Sequence, residues 1–205
     1  GRRRFLLPLF VGQISVIMAD AAAGVWAVPV LQRDLGQTVG QAAALLGVLL
    51  LLAGILGPVI GGFVADRGHK SSIRGGILIG AVIASAVGVP AALFPLATGV
   101  PAFAVVLFLL LMAGAVTGLI TATAIAVLVP NEERGVCLGA FMILGSLIGL
   151  GLSPVLVSLG SELMGGEAHL APALAVVGVG TGLLSLAGFI IAMINAPERP
   201  VAIAD

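Results

Sequence analysis

The sequence predicts an all-α, polytopic membrane protein with six transmembrane helices. Three observations predict it. The 205 residues are 60% hydrophobic and only 9% charged, with a mean hydropathy of +1.26. A soluble domain of this size has no use for so apolar a surface. The apolar residues also gather into windows long enough to cross a hydrocarbon core of ~30 Å, which takes ~20 residues of helix. Runs such as Leu45–Leu52 are continuous, where a membrane barrel would alternate.

The first window, about Phe5–Leu31, follows Arg2, Arg3 and Arg4 and contains one carboxylate, Asp20. Trp26 falls near its far end, where an indole anchors at the membrane interface. The second, about Gln41–Ala65, has no strongly polar residue through its middle. It runs into the charged segment Gly62-Phe63-Val64-Ala65-Asp66-Arg67-Gly68-His69-Lys70, read as a tight aqueous hairpin. The third window is about Ile73–Leu93, and the fourth, about Pro101–Val129, carries Thr117 and Thr121. The fifth, about Gly135–Leu159, contains Pro154, which marks a kink. The sixth is about Leu170–Asn195. Connections are short and leave no room for a soluble domain.

Charge distribution orients the chain. If the first helix starts inside, Arg2, Arg3, Arg4, Arg67, Lys70, Arg74, Arg134 and Arg199 all fall in cytoplasmic segments and only Arg33 falls outside. This bias predicts a multi-pass protein of an inner or plasma membrane with both termini cytoplasmic. The Arg-Arg start resembles a twin-arginine export signal. The apolar window runs well past Asp20, however, and five more follow, so the arginines read as an anchor. The single Cys137 permits no internal disulfide.

Within the windows glycine recurs at four-residue spacing: Gly57/Gly61, Gly76/Gly80, Gly114/Gly118, Gly145/Gly149 and Gly178/Gly182. This places small residues on one helix face and lets backbones approach closely. A weak repeat is also visible. Val28-Pro29-x-x-x-Arg33 recurs as Val129-Pro130-x-x-x-Arg134. Pro58-Val59, with Asp66 eight residues after the proline, recurs as Pro154-Val155 with Glu162. The chain therefore divides into repeat one, about 1–98, and repeat two, about 99–205, within one bundle. Three helices per repeat give the copies opposite orientation, an inverted 3+3 arrangement found in secondary transporters.

Asp20 is the outstanding chemical group, because it falls near the membrane midplane. A carboxyl there costs at least ~2.5 kcal/mol unless it faces a cavity or a partner. It reads as a proton-coupling or substrate-recognition group, or else as a structural hydrogen-bonding group. Gln13 lies two turns before it on the same face, and Gly24 continues that face and would leave room beside the carboxylate. Thr117 and Thr121 share one face of the fourth window and either line a polar path with Asp20 or bond back to their own helix. Ser153, with His169, raises an intramembrane serine protease as a remote alternative, but His169 falls in an outer aqueous loop. No metal-ligand spacing, cofactor motif or nucleic-acid-binding face is apparent, so no cofactor or metal is expected and the expected surroundings are a lipid bilayer.

The segment Gly62–Lys70 resembles the conserved loop of the major facilitator superfamily, roughly Gly-x-x-x-Asp-Arg-x-Gly-Arg-Arg. Gly62, Asp66, Arg67, Gly68 and Lys70 match; one residue before the second glycine is missing, and His69 stands at a basic position. Pro130, Arg134 and Gly135, before a window with Gly145, Gly149, Gly151 and Pro154, are similar to the loop and eleventh helix of that superfamily. The Pro-x-x-x-Arg-Gly element leans towards its spinster-like and anion-cation symporter branches. The resemblance spans the chain as helices seven to twelve, the C-terminal half of that fold. It implies that the first and fourth helices line a central cavity, placing Asp20, Gln13, Gly24, Thr117 and Thr121 on a transport path. It implies a cytoplasmic latch in which Asp66 faces a helix N-terminus of another half and Arg67 steadies Asp66. The implied partners are a small-molecule or lipid-like substrate, a proton, and a missing N-terminal half or a second copy. The cavity sides of the first and fourth helices should then look unusually open. The expectation is half of a proton-coupled secondary transporter and not an enzyme; the alternative is a six-helix channel or scaffold. A channel would need a pore lined with polar groups from several helices, and the second window offers none.

Overall fold

A computed structural model describes residues 3–71 and 73–197. Arg2 and Arg199, both counted in the charge bias, lie outside the described residues, as does the end of repeat two. Among the described residues, six helices are long and apolar enough to cross a membrane: α1 (Arg3–Arg33), α2 (Val39–Lys70), α3 (Gly76–Leu96), α4 (Val100–Leu128), α5 (Asn131–Leu163) and α6 (Leu170–Ile194). The protein is all-helical and multi-pass. Among the described residues α3 has 3-10 turns at both ends, and α5 contains a π-helical stretch, Gly145–Leu150.

Two boundaries differ from the sequence expectation. The charged segment Gly62–Lys70 is not a turn but the last part of α2, which runs on to Lys70. Nothing in it breaks a helix as proline would, and Arg67, His69 and Lys70 in the last turn complement the C-terminal end of the helix dipole. The Ser71 hydroxyl donates to the Gly68 carbonyl at 2.6 Å, and the chain reverses at Gly75, whose φ of +66° is left-handed. The second difference is at Pro130, Arg134 and Gly135. Pro130 is the cap, and Arg134 and Gly135 belong to the first turns of α5, where Glu132 and Glu133 suit the N-terminal dipole. The opposite end of α2 is closed by a capping box: Thr38 Oγ1 accepts from the Gln41 N–H, and Gln41 Oε1 accepts from the Thr38 N–H.

Close approach sets the packing. α1 and α6 meet backbone to backbone where Gly12 faces Gly188; a Cβ on Gly188 would lie 2.6 Å from the Gly12 nitrogen. Gly61 brings α2 onto Val116 of α4, and Gly178 brings α6 onto Ala92 of α3. Among the described residues the buried apolar side chains form two clusters that follow one another along α1. One gathers Ala19–Leu31 of α1 with Phe94, Phe103, Leu107 and Leu174. The other gathers Phe5–Val16 of α1 with Leu78, Ile120, Ile125 and Phe189. Phe94 and Phe103 meet edge to face at 5.1 Å.

The helices are unequally enclosed. α1 presents no exposed residue between Gly12 and Ala23, and α4 none between Leu110 and Ala126. The open helices are α2 and α5, with Leu51, Val59, Phe63, Val136, Met142, Ile143 and Leu147 all more than half exposed. This corrects the expectation that α1 and α4 would be the open pair. Their small and polar faces turn towards each other and towards α3 and α6 inside this chain.

Candidate functional site in the α1–α4 seam

Between the two apolar clusters lies a thin polar layer. On α3 it holds Ser85, on α4 Thr117, and on α6 Thr181 and Ser185, all buried. Asp20 enters this level from α1. It is the eighteenth residue of a 31-residue helix, roughly 26 Å from its start at ~1.5 Å per residue. The Asp20 residue is half-buried, yet its Oδ1 is fully buried and has no hydrogen-bond partner. An unpartnered buried acceptor is costly.

The carboxylate rests against Gly114 of α4. A Cβ at Gly114 would lie 2.7 Å from Asp20 Cγ and would overlap Oδ2. The glycine that makes room for Asp20 is therefore Gly114, across the seam. Gly24, assigned that part from its spacing, is exposed with nothing within 4 Å of a built Cβ.

Gln13, two turns along α1, meets α4 two turns on from Gly114. Thr121 Oγ1 donates to Gln13 Oε1 at 3.0 Å, with both side chains buried. Thr117 bonds back to the Gly114 carbonyl at 3.0 Å. The two threonines thus divide between the readings left open for them: Thr121 crosses the seam and Thr117 satisfies itself. Beside Thr117 a cavity of about 20 Å3, roughly the space for one water, is lined by Gly114, Ser85 and Ser185 among others. Ser85 and Ser185 are 3.1 Å apart. Ser85, Thr181 and Ser185 were not singled out from sequence. The available signal was a lone hydroxyl in the middle of an apolar span.

The remaining sites lie at one end of the bundle. Asp66 and Arg67 are exposed. The Arg67 guanidinium lies over the Phe63 ring at 4.1 Å instead of steadying Asp66. Residues four apart share a helix face, whereas neighbours in sequence point apart. Gly68 lets the start of α3 close onto α2, with Gly76 C 2.9 Å from a built Cβ. Lys70 ends α2 and is exposed. Arg74 Nε donates to the Ala196 carbonyl at 2.8 Å, tying this turn to the end of α6. Arg134 reaches back to the Val129 carbonyl at 3.4 Å, while its Nε is buried without a partner. Arg3 and Arg4 lie beside Ile191 and Asn195 at the same end; Arg33 ends α1 at the other.

Two residues acquire structural roles. Ser153 is buried and its hydroxyl donates to the Met18 carbonyl of α1. His169 lies beside Gly165 in the turn after α5, so Ser153 is not presented as a nucleophile. Trp26 Nε1 donates to the Pro154 carbonyl at 3.2 Å, so its indole joins α1 to α5.

The six-helix fold recurs in solved structures. A crystal structure of a bacterial homologue of the human lysosomal transporter Spinster, inward-facing and unoccupied, superposes with a TM-score of 0.73 at 18% identity over 96% of this chain. The chain has the fold of half a Spinster-like transporter. An inward-facing, occupied structure of a bacterial Spinster homologue gives a TM-score of 0.62 at 19% identity over 93% of this chain. The chain spans about half the length of these structures, 50% and 47%. No family model matches the sequence, and no curated protein matches it.

Proposed function

We propose that this chain is half of a secondary active transporter that moves a small organic or amphiphilic solute across a membrane by alternating access, coupled to protons through Asp20. The observation that carries the reading is the partnerless Asp20 oxygen, buried midway along α1 in its seam with α4. A carboxyl there has a use if it exchanges a proton when the seam opens. The fold supports transport as the setting, since the structures it resembles are of a transporter homologue.

The complete machine requires a second six-helix half, either further chain or another copy. The exposed apolar faces of α2 and α5 suit such a neighbour, with lipid elsewhere. The end carrying Arg3, Arg4, Arg67, Lys70, Arg74 and Arg134 is cytoplasmic by the positive-inside rule. There Asp66, exposed near the C-terminal end of α2 where the dipole disfavours a carboxylate, would meet a helix N-terminus of the other half. Helices α1–α3 and α4–α6 form the inverted repeats.

The test is Asp20→Asn in the full-length protein reconstituted in vesicles. Loss of pH-driven solute accumulation with solute exchange retained is the expected result. Unchanged accumulation under a pH gradient would remove Asp20 from coupling.

A further inference from the structure

Glycine in the middle of a helix is the least favourable residue after proline, so a mid-helix glycine calls for a steric reason. At Gly61, Gly80, Gly149 and Gly178 the reason is a neighbouring backbone or apolar side chain. At Gly114 it is a carboxylate. A Cβ there would lie 2.9 Å from Asp20 Oδ1 and 2.7 Å from Cγ, and would overlap Oδ2. No other amino acid leaves that volume. The other carboxylate oxygen, Oδ1, 2.9 Å from the same point, is fully buried and has no hydrogen-bond partner. Nothing chemical holds the carboxyl against α4; shape alone does.

We infer that Gly114 is a positioning residue for Asp20: the space left by its missing side chain is the berth that keeps the carboxyl inside the α1–α4 seam. This rests on the reading of Asp20 as the coupling group. While α1 and α4 are closed, Oδ1 is shielded at this berth, and it meets water or solute when the two helices part at Gly114. A methyl group at this position evicts the carboxyl without adding or removing any polar group. Gly114 would thereby make proton access depend on conformation.

The test uses the full-length protein and a lipophilic carbodiimide, which modifies carboxyl groups within membranes, with the modified peptide read by mass spectrometry. Gly114→Ala is expected to raise modification at Asp20 several-fold, with Asp20→Asn as the blank. Gly180→Ala, on α6 with open space around it, is expected to leave modification unchanged. An unchanged rate in Gly114→Ala overturns the inference. A second measurement covers misfolding. Gly114→Ala should lower the thermal midpoint in the native background and much less in an Asp20→Ala background, because the colliding group is then gone. If Gly114→Ala alone does not fold, recovery of folded protein in the double variant supports the berth, and equal loss in both backgrounds overturns it. Neither readout requires transport, so failure of proton coupling in the Asp20→Asn assay remains distinguishable from failure of the berth.

Discussion

Thr121 donates its hydroxyl to the Gln13 side-chain oxygen at 3.0 Å, joining α4 to α1 by a hydrogen bond between two fully enclosed side chains. In lipid such a bond has little competition from water, yet measured values average only ~0.6 kcal/mol because the separated helices also find partners. Thr121→Val is expected to destabilise the protein by about 1 kcal/mol, since it also leaves the Gln13 oxygen unsatisfied. Adding Gln13→Leu should cost less than the sum of the two single changes. Thermal unfolding of the four variants in detergent checks this; strict additivity would show that the bond contributes nothing.

The α1–α6 contact is a backbone-to-backbone approach between two spanning helices, and it has its own signature. Gly188→Ala places a Cβ 2.6 Å from the Gly12 nitrogen and 2.7 Å from the Pro8 carbonyl oxygen. Backbone cannot move aside as a side-chain tip can, so the expected cost is ~1–3 kcal/mol. Gly180→Ala, on the same helix with open space around it, should be neutral. Equal unfolding midpoints for both variants would contradict the packing.

The turn after α2 separates two costs of replacing a glycine. Gly75 and Gly36 have nearly the same left-handed φ, +66° and +64°. A Cβ on Gly75 collides with the Met193 carbonyl of α6, whereas one on Gly36 meets nothing within 4 Å. Gly36→Ala should cost about 1 kcal/mol, the backbone term alone. Gly75→Ala should cost clearly more, and the difference measures how firmly this turn is seated on α6. Similar midpoints for the two variants would show that it is not.

Orientation is checked by cysteine accessibility in a Cys137→Ser background. Lys70→Cys is expected to react with an impermeant thiol reagent only when the cytoplasmic side is open to it. Gln37→Cys, in the α1–α2 connection, should react only from the opposite side. Labelling of both from one side would overturn the topology.

Much of the fold was legible because length and hydropathy alone decide whether a helix can span a bilayer. The windows for α1, α4 and α6 lie within a few residues of the observed helices. The error at Gly62–Lys70 has a physical cause. Charge implies contact with water, which the last turns of a helix projecting from the membrane have as fully as a loop. The same holds for Arg134 and Gly135 at the start of α5. For the site, the depth of Asp20 and the shared face of Gln13 followed from helical spacing. The partner did not: Gly114 faces Asp20 from 94 positions further along the chain, and no local pattern links them.

The sequence by itself determined that this is a membrane protein of six helices, that its basic residues gather at one end, and that one carboxyl sits at mid-depth. Only the tertiary structure decided that α1 and α4 enclose that carboxyl while α2 and α5 are left open. The reason is the solvent. In water an apolar stripe shows which face of a helix turns inward. In lipid an apolar side chain is equally well placed facing a neighbour or the bilayer. The rotation of each helix is therefore chosen by close packing at glycines such as Gly12, Gly114 and Gly188, and by the few polar groups that must find partners.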